Sequence, residues 1–342
     1  HQALLGESGN QSCRNTVVGM TAGKCITTAT DLLALGFGTA VNLTTGKFNT
    51  LLGGALTGVA GATGEAMTTG CCNVAVGNGA LKLTTTANSN TAVGTLALGA
   101  NSTGTQNVGI GANALDATTT GSYNTAVGND ALGANTTGAN NVAVGRTAGA
   151  ANTEGARNTF LGGSNNIGNG AANTEGNDNT FVGNDTGGAN TTGDQNTAVG
   201  SDALDANTTA GNNTALGFAS ASAITTGASN TALGACAMAS TTTAADNVAV
   251  GHQALFTNVT GASNTAMGKN SLYYNTGSNN TAIGNLALTT NAAGAGNTAV
   301  GQNALTTNSS GGNHTAVGRN ALDANTTGGD NTAVGFDALG AN

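Results

Sequence analysis

The chain repeats one short pattern of apolar and polar positions almost from end to end. A clear copy is Asn-Thr-Ala-Val-Gly-Asn-Asp-Ala-Leu-Gly-Ala-Asn-Thr-Thr-Gly, which begins at Asn124. The glycine of its Ala-Val-Gly step recurs nineteen times, and fifteen of the eighteen spacings between successive copies are 17 residues. So strict a period is typical of repeat proteins, in which stacked units bury one another.

The residues before each of these glycines predict a short β-strand. An aliphatic residue or Met always precedes the glycine, and Thr, Val or Leu stands two positions before that residue. The residue between them is usually small, Ala in fourteen copies, and Phe160 and Phe181 break this alanine stripe. Alternate side chains of a strand point to opposite faces, and β-branched residues favour strands. We expect the aliphatic residue to be the main core contact of its coil. The alanine stripe then either fills a thin core or packs against another chain.

The second half of the repeat predicts a second apolar side, or wall, of the coil and a second turn, or corner, after the one at the repeat glycine. It carries Ala-Leu, as at Ala131 and Leu132, followed by a polar Asn-Thr-Thr-Gly segment whose Asn and Gly tolerate left-handed backbone. An asparagine also stands immediately before the strand in seventeen of the nineteen copies, with Leu32 and His314 as the exceptions. Stacked copies would align these asparagines in a ladder, and His314 is interpreted as a structural replacement within it.

The fold class that follows is all-β: a parallel β-solenoid, or β-roll, of about twenty coils of 17 residues. Helices are excluded because Gly and Thr are abundant and no 3.6-residue apolar stripe persists. We expect a single repeat rod over 1–342, with irregular N-terminal coils over 1–77 and an insertion near 163–170.

Composition excludes several classes of partner and activity. The net charge is −8, with only eight scattered Lys and Arg residues, so no nucleic-acid partner is expected. No apolar run is long enough to cross a bilayer, so no membrane insertion is expected in this segment. The sequence has no Ser-His-Asp grouping, zinc-protease motif or phosphate-binding loop, and its carboxylates are thinly spread. We therefore predict neither enzymatic activity nor a cofactor or metal site.

Two kinds of covalent site are candidates. Cys13 and Cys25 lie on either side of Gly19 and would form a disulfide if they meet across neighbouring coils. Asn-x-Ser/Thr sequons recur on the Asn-Thr-Thr-Gly corner, where sugar could be attached without disturbing the core, although an Asn- and Thr-rich repeat also creates such sequons by composition alone. The candidate glycosylation sites are Asn101, Asn135, Asn190, Asn207, Asn258, Asn308 and Asn325.

The motif Asn-Thr-Ala-Val-Gly followed by Ala-Leu resembles the head repeats of trimeric autotransporter adhesins, the YadA-type or Hep/Hag family, over nearly the whole chain. The resemblance implies a left-handed β-roll with three chains side by side. The repeat is also similar to those of phage tail fibres and other surface fibres. This sequence departs from the adhesins in its longer coil, and it shows neither a heptad stalk nor the strands of a C-terminal membrane anchor. The resemblance therefore extends only to the head.

The function predicted first is an extracellular structural fibre or adhesin-like rod segment that self-assembles and presents a repetitive surface. Its location would be outside the cell, on the cell surface or in a virion fibre. Its partners would be other copies of the chain, end to end or as a homotrimer, and surface glycans or a host surface. The alternative is an ice-binding β-solenoid, suggested by the threonine ladder. The expectation that the strand threonines are buried with the valines argues against this alternative.

Overall fold

A computed structural model describes residues 12–55, 61–163 and 169–340. The chain divides into two compact units, His1–Asn177 and Asp178–Asn342. Each unit is a parallel β-solenoid built from coils of about 17 residues, which confirms the predicted fold class. The insertion predicted near 163–170 lies largely outside the described residues.

Every coil contributes one strand of three residues. The first unit contains β1 Thr16–Val18, β2 Leu33–Leu35, β3 Thr50–Leu52, β4 Val74–Val76, β5 Thr91–Val93, β6 Val108–Ile110, β7 Thr125–Val127, β8 Val142–Val144 and β9 Thr159–Leu161. The second contains β10 Thr180–Val182, β11 Thr197–Val199, β12 Thr214–Leu216, β13 Thr231–Leu233, β14 Val248–Val250, β15 Thr265–Met267, β16 Thr281–Ile283, β17 Thr298–Val300, β18 Thr315–Val317 and β19 Thr332–Val334.

Successive strands within a unit are parallel and in identical register. Thr197 lies beside Thr214, Ala198 beside Ala215, and so on along the sheet. The glycine after the strand makes this stacking feasible. Gly128 has φ +141°, and a Cβ built on it would lie 2.3 Å from the Gly145 oxygen of the next coil. No residue with a side chain fits there, and the same close approach to the next coil recurs at this step along each unit, as at Gly200 and Gly318.

The strand face that points into the core is the opposite of the predicted one. Thr and the aliphatic residue do share one face, but that face points outward, with burial patterns such as exposed-buried-intermediate for β11 Thr197–Val199. The middle residue is the buried one: Ala126 and Ala198 are completely inaccessible. The prediction that the aliphatic residue is the main core contact is therefore wrong. The alanine stripe fills a thin core against the Ala131–Leu132 wall, which is also completely buried.

The predicted asparagine ladder is present and lies inside the coil. We call it the strand ladder; it consists of the residues immediately before each strand. The backbone N–H of Asn141 donates to Oδ1 of Asn124 in the preceding coil at 3.0 Å, and its Nδ2 donates to the Gly155 carbonyl at 2.8 Å. His314 occupies its expected place: its N–H donates to Oδ1 of Asn297, and its Nδ1 accepts the Asn331 N–H. Buried amides thus satisfy backbone groups that no water reaches.

A second, unpredicted asparagine ladder runs along the opposite corner. We call it the corner ladder; Asn135 and Asn152 are two consecutive members. Asn152 Nδ2 donates to Oδ1 of Asn135 at 2.9 Å and to the Gly155 carbonyl at 2.9 Å. Between Asn101 and Asn325 the ladder is interrupted at Thr118 and again at Ile224 and Thr241, which occupy this position. The asparagine of the coil before each break, Asn101 or Asn207, is left with a buried Oδ1 that has no hydrogen-bond partner.

Core volume is conserved where the alanine stripe is broken. Phe160 and Phe181 replace the mid-strand alanine, and both are fully buried. The position that carries Leu132 in an ordinary coil is glycine beside each ring: Gly149, eleven residues before Phe160, and Gly187, six residues after Phe181. A Cβ on Gly149 would lie 2.5 Å from the Phe160 ring, and one on Gly187 would lie 2.7 Å from the Phe181 ring. The ring therefore fills the space that the leucine occupies elsewhere.

Candidate functional surface on the strands

In each unit, the first and third residues of its strands form a surface that we call the outward face. The first residues of the strands form one rank of this face, and the third residues form a second rank. In the second unit the first rank is threonine in every strand except β14, where it is Val248, and the second rank is aliphatic or Met in all ten strands. The aliphatic side chains are substantially accessible: Leu216 is 50% exposed and Met267 is 42% exposed. None of the nineteen described strands places a charged side chain on this face.

The threonine hydroxyls of this face differ from those of the corners. The hydroxyls of corner threonines form hydrogen bonds within the solenoid; for example, Oγ1 of Thr136 donates to the Thr153 carbonyl at 3.0 Å. The hydroxyls of the strand threonines in β10–β19 make no hydrogen bond to any described residue. They are half-exposed, as at Thr231 and Thr298. The outward face therefore offers a regular rank of free hydroxyls beside a rank of apolar side chains.

The seven corner sequons are not presented to solvent. All seven asparagines belong to the corner ladder and are at most 3% exposed. In each, Nδ2, the atom to which sugar would be attached, donates to the backbone carbonyl three residues further on. The expectation that this corner leaves them accessible was wrong, because each Asn side chain points into the coil to bond a carbonyl of its own turn. The residues concerned are Asn101, Asn135, Asn190, Asn207, Asn258, Asn308 and Asn325.

The cysteines carry no disulfide in the structure. Cys13 and Cys25 are both free, exposed thiols, in place of the bridge that their positions suggested. They belong to different sides of the coil. Cys13 lies before the strand, where its backbone pairs with that of Thr30 as an isolated parallel β-bridge. Cys25 lies on what we call the turn side, the half of the coil that follows the repeat glycine, and its N–H donates to the Val41 carbonyl. Similar distances from Gly19 along the chain thus did not bring the two sulfur atoms together.

Two small groups of acidic residues lie in the half of the coil that follows the repeat glycine. Burial raises the pKa of Asp116, and the neighbouring Asp130 carboxylate raises it further. Burial likewise raises the pKa of Asp205, with smaller contributions from Asp202 and Asp185. In the part of the chain that the structure describes, no three His, Cys, Asp or Glu side chains converge as metal ligands.

Comparison with known proteins assigns no family. No protein-family model matches this sequence, and no curated protein matches it as a relative. The described residues also contain no helix of the length and apolar character that crossing a membrane requires. The function must therefore be argued from the surface itself.

One surface feature was not anticipated from the sequence. Phe256, Tyr273 and Tyr274 form an aromatic cluster on the turn side of the second unit. Phe256 and Tyr273 occupy the same repeat position in consecutive coils, five residues after the repeat glycine. Aligning the sequence by its 17-residue period would have revealed their proximity, because stacked coils place equivalent residues side by side.

Proposed function

We propose that this chain is a segment of an extracellular structural fibre, located on a cell surface or in a virion fibre, and that copies associate through the outward face. The observation that carries this proposal is the rank of aliphatic side chains in every strand of a face without charge. Large uncharged apolar patches on soluble proteins mark surfaces that other molecules cover. A rigid, repetitive solenoid is suited to length and surface presentation, and we propose no enzymatic activity for it.

The size of the outward face supports association between copies. Ten strands of three residues, at ~4.8 Å between strands and ~3.3 Å per residue, give the second unit a flat footprint of roughly 480 Å². Two such faces in contact would cover about 1,000 Å² in total, which is the lower range of specific protein interfaces. The first unit has the same face over nine strands. Identical register within each unit allows the ranks of two copies to interdigitate along their length.

Sedimentation velocity tests this proposal with a matched pair of charge substitutions in one coil. Leu216→Asp places a carboxylate on the outward face, whereas Thr226→Asp places the same charge on an exposed corner. We expect the first to shift the protein toward monomer and the second to leave the oligomer intact, with equal far-ultraviolet circular dichroism. A monomeric unmodified chain, or equal effects of the two substitutions, would contradict association through the outward face.

Ice binding is the second candidate, and one specific observation favours it. The argument against it was burial of the strand threonines, but these residues lie on the outward face with unbonded hydroxyls. A stiff rank of hydroxyls beside methyl-bearing side chains can hold water in a regular array. The same surface thus supports both functions, and they are distinguished by what covers it.

Thermal hysteresis and ice-crystal shape test this second candidate. If the face binds ice, the unmodified chain will depress the freezing point below the melting point, and Thr231→Asp in the middle of the rank will abolish the effect. The corner substitution Thr226→Asp serves as the control and should retain it. Round, unshaped ice crystals with the unmodified protein would eliminate ice binding and leave the fibre proposal standing.

A further inference from the structure

The aromatic cluster of Phe256, Tyr273 and Tyr274 is an exception within the repeat. Phe256 and Tyr273 stack with their ring centroids 5.0 Å apart and 11° between their planes. Tyr274 meets Tyr273 edge-on, with centroids 4.6 Å apart and planes at 74°. The Tyr274 side chain is 54% exposed, and Phe256 and Tyr273 are half-buried. No other described coil has an aromatic residue at either of these two repeat positions.

The cluster is held on a rigid backbone. The Thr257 N–H and hydroxyl both donate to the Tyr273 carbonyl, at 3.0 and 2.7 Å, and the Tyr274 N–H donates to the Thr289 carbonyl at 2.8 Å. The backbone beneath the rings therefore does not need to be ordered when a ligand arrives, and this lowers the entropic cost of binding. The coil that carries both tyrosines is also the one of 16 residues, from Gly268 to Gly284.

The surroundings of the rings are neutral and rich in hydroxyl groups. The equivalent positions of neighbouring coils carry no charge; they are 239–240, 256–257, 273–274, 289–290 and 306–307. Ser240, Thr257 and Thr290 surround the rings at these positions. The phenolic hydroxyls of Tyr273 and Tyr274 make no hydrogen bond to any described residue. The surface thus combines the exposed Tyr274 ring and the half-buried stacked pair with two phenolic hydroxyls that can donate and accept hydrogen bonds.

We infer that this cluster binds a neutral oligosaccharide. The face of an aromatic ring is electron-rich and attracts the weakly positive C–H groups of a sugar ring, while the tyrosine hydroxyls can bond the sugar hydroxyls. The absence of charged side chains at these positions disfavours an acidic glycan or a phosphate group. The inference rests on the proposed function, in which the solenoid presents its surface to other cells or to a host, and it names the partner class for one place on that surface.

The test is saturation-transfer nuclear magnetic resonance with cellohexaose, maltohexaose and N-acetylated chitohexaose as probes. The double substitution Tyr273→Thr/Tyr274→Thr converts the coil to the Thr-Thr pair found at 289–290 and 306–307, so the fold should tolerate it. Tyr274→Thr alone removes the exposed ring and leaves the stacked pair. Tyr123→Gln is the control, because Tyr123 is 56% exposed without an aromatic neighbour, and Gln106 occupies the same position in the preceding coil.

We expect transfer to the ring C–H protons of at least one probe, and a loss of affinity of about tenfold or more in the double variant. The Tyr123→Gln control should bind normally, and binding should change little between about 0.05 and 0.5 M salt because no charged pair is involved. No binding of any probe, or equal binding by the double variant, would overturn the inference. A smaller oligomer in the double variant with unchanged saccharide binding would identify the cluster as a contact between copies and would overturn it too.

The same experiment separates this inference from the fibre proposal. Leu216→Asp lies on the outward face and should leave saccharide binding unchanged while it reduces association. Saccharide binding by a chain that never associates would leave the inference standing and contradict association through the outward face. Association without saccharide binding would do the reverse.

Discussion

The exchange of volume between Phe160 and Gly149 makes the sharpest test of how the core is built. One coil earlier the two positions carry Ala143 and Leu132, and both are fully buried. We therefore predict that Phe160→Ala and Gly149→Leu each destabilise the coil, whereas the two together restore an ordinary coil. Gly149 has φ +59° and Leu132 has φ +50°, so the backbone already has the conformation in which leucine occurs elsewhere.

The magnitudes follow from the volumes involved. Phe160→Ala should cost about 3–5 kcal/mol through lost burial and a cavity. Gly149→Leu should cost about 1–3 kcal/mol through overpacking, because its Cβ would approach the ring to 2.5 Å, and about 1–2 kcal/mol through left-handed backbone. In the double variant the leucine fills the cavity, and its burial, worth about 1.5–3 kcal/mol, offsets the backbone cost. The coupling energy between the two sites should thus be about 3 kcal/mol or more.

Hydrogen exchange of the amides between residues 142 and 163 measures this coupling. A local measurement is needed because long repeat arrays do not unfold in one step, and each coil contacts only its neighbours. A coupling of about 3 kcal/mol corresponds to about a hundredfold slower exchange in the double variant than the single variants would give additively. The reverse exchange one coil earlier, Ala143→Phe with Leu132→Gly, is the matched control and should show coupling of the same sign. Additive effects in both pairs would refute the shared-volume explanation.

Three further predictions test the ladders and the orientation of the strands. Thr118→Asn should fill the first break in the corner ladder, because the new Nδ2 can donate to Oδ1 of Asn101 and the new Oδ1 can accept from Nδ2 of Asn135. We expect the free energy of local opening, measured by hydrogen exchange, to rise by about 1–2 kcal/mol. Unchanged exchange would contradict this prediction. Ala198→Asp should open its coil and the adjacent coils through an unpaired buried charge, whereas Val199→Asp on the outward face should be tolerated; the opposite order would restore the original assignment of faces. The seven corner sequons should carry no glycan after secretion from a glycosylating host, and intact-mass spectrometry of the purified protein would detect any sugar attached to them.

Much of the coil could be predicted from the 17-residue period. The strands occur where the aliphatic-glycine step predicted them, from β1 Thr16–Val18 to β19 Thr332–Val334, and the strand ladder includes His314 as expected. The strands depend on local sequence, and the ladder follows from stacking identical units. Predicting them does not require knowing which side of each strand faces the inside of the coil. The corner ladder was missed because its Asn-Thr-Thr sequence also satisfies the sequon pattern, and a sequence pattern does not report exposure.

The period, the strands and the residues that share a face of each strand all follow from the repeat pattern alone. Alternation along a strand groups Thr197 with Val199 and separates them from Ala198, but it does not say which group is buried. Which group is buried depends on how the coil closes on itself, and the reason is that the coil is narrow. Its turn-rich walls leave backbone groups inside the core, so asparagine must enter to bond them, as Asn196 does to the Ala210 carbonyl. Alanine then fills the remaining space against the opposite wall, and the larger threonine and valine side chains are left on the surface.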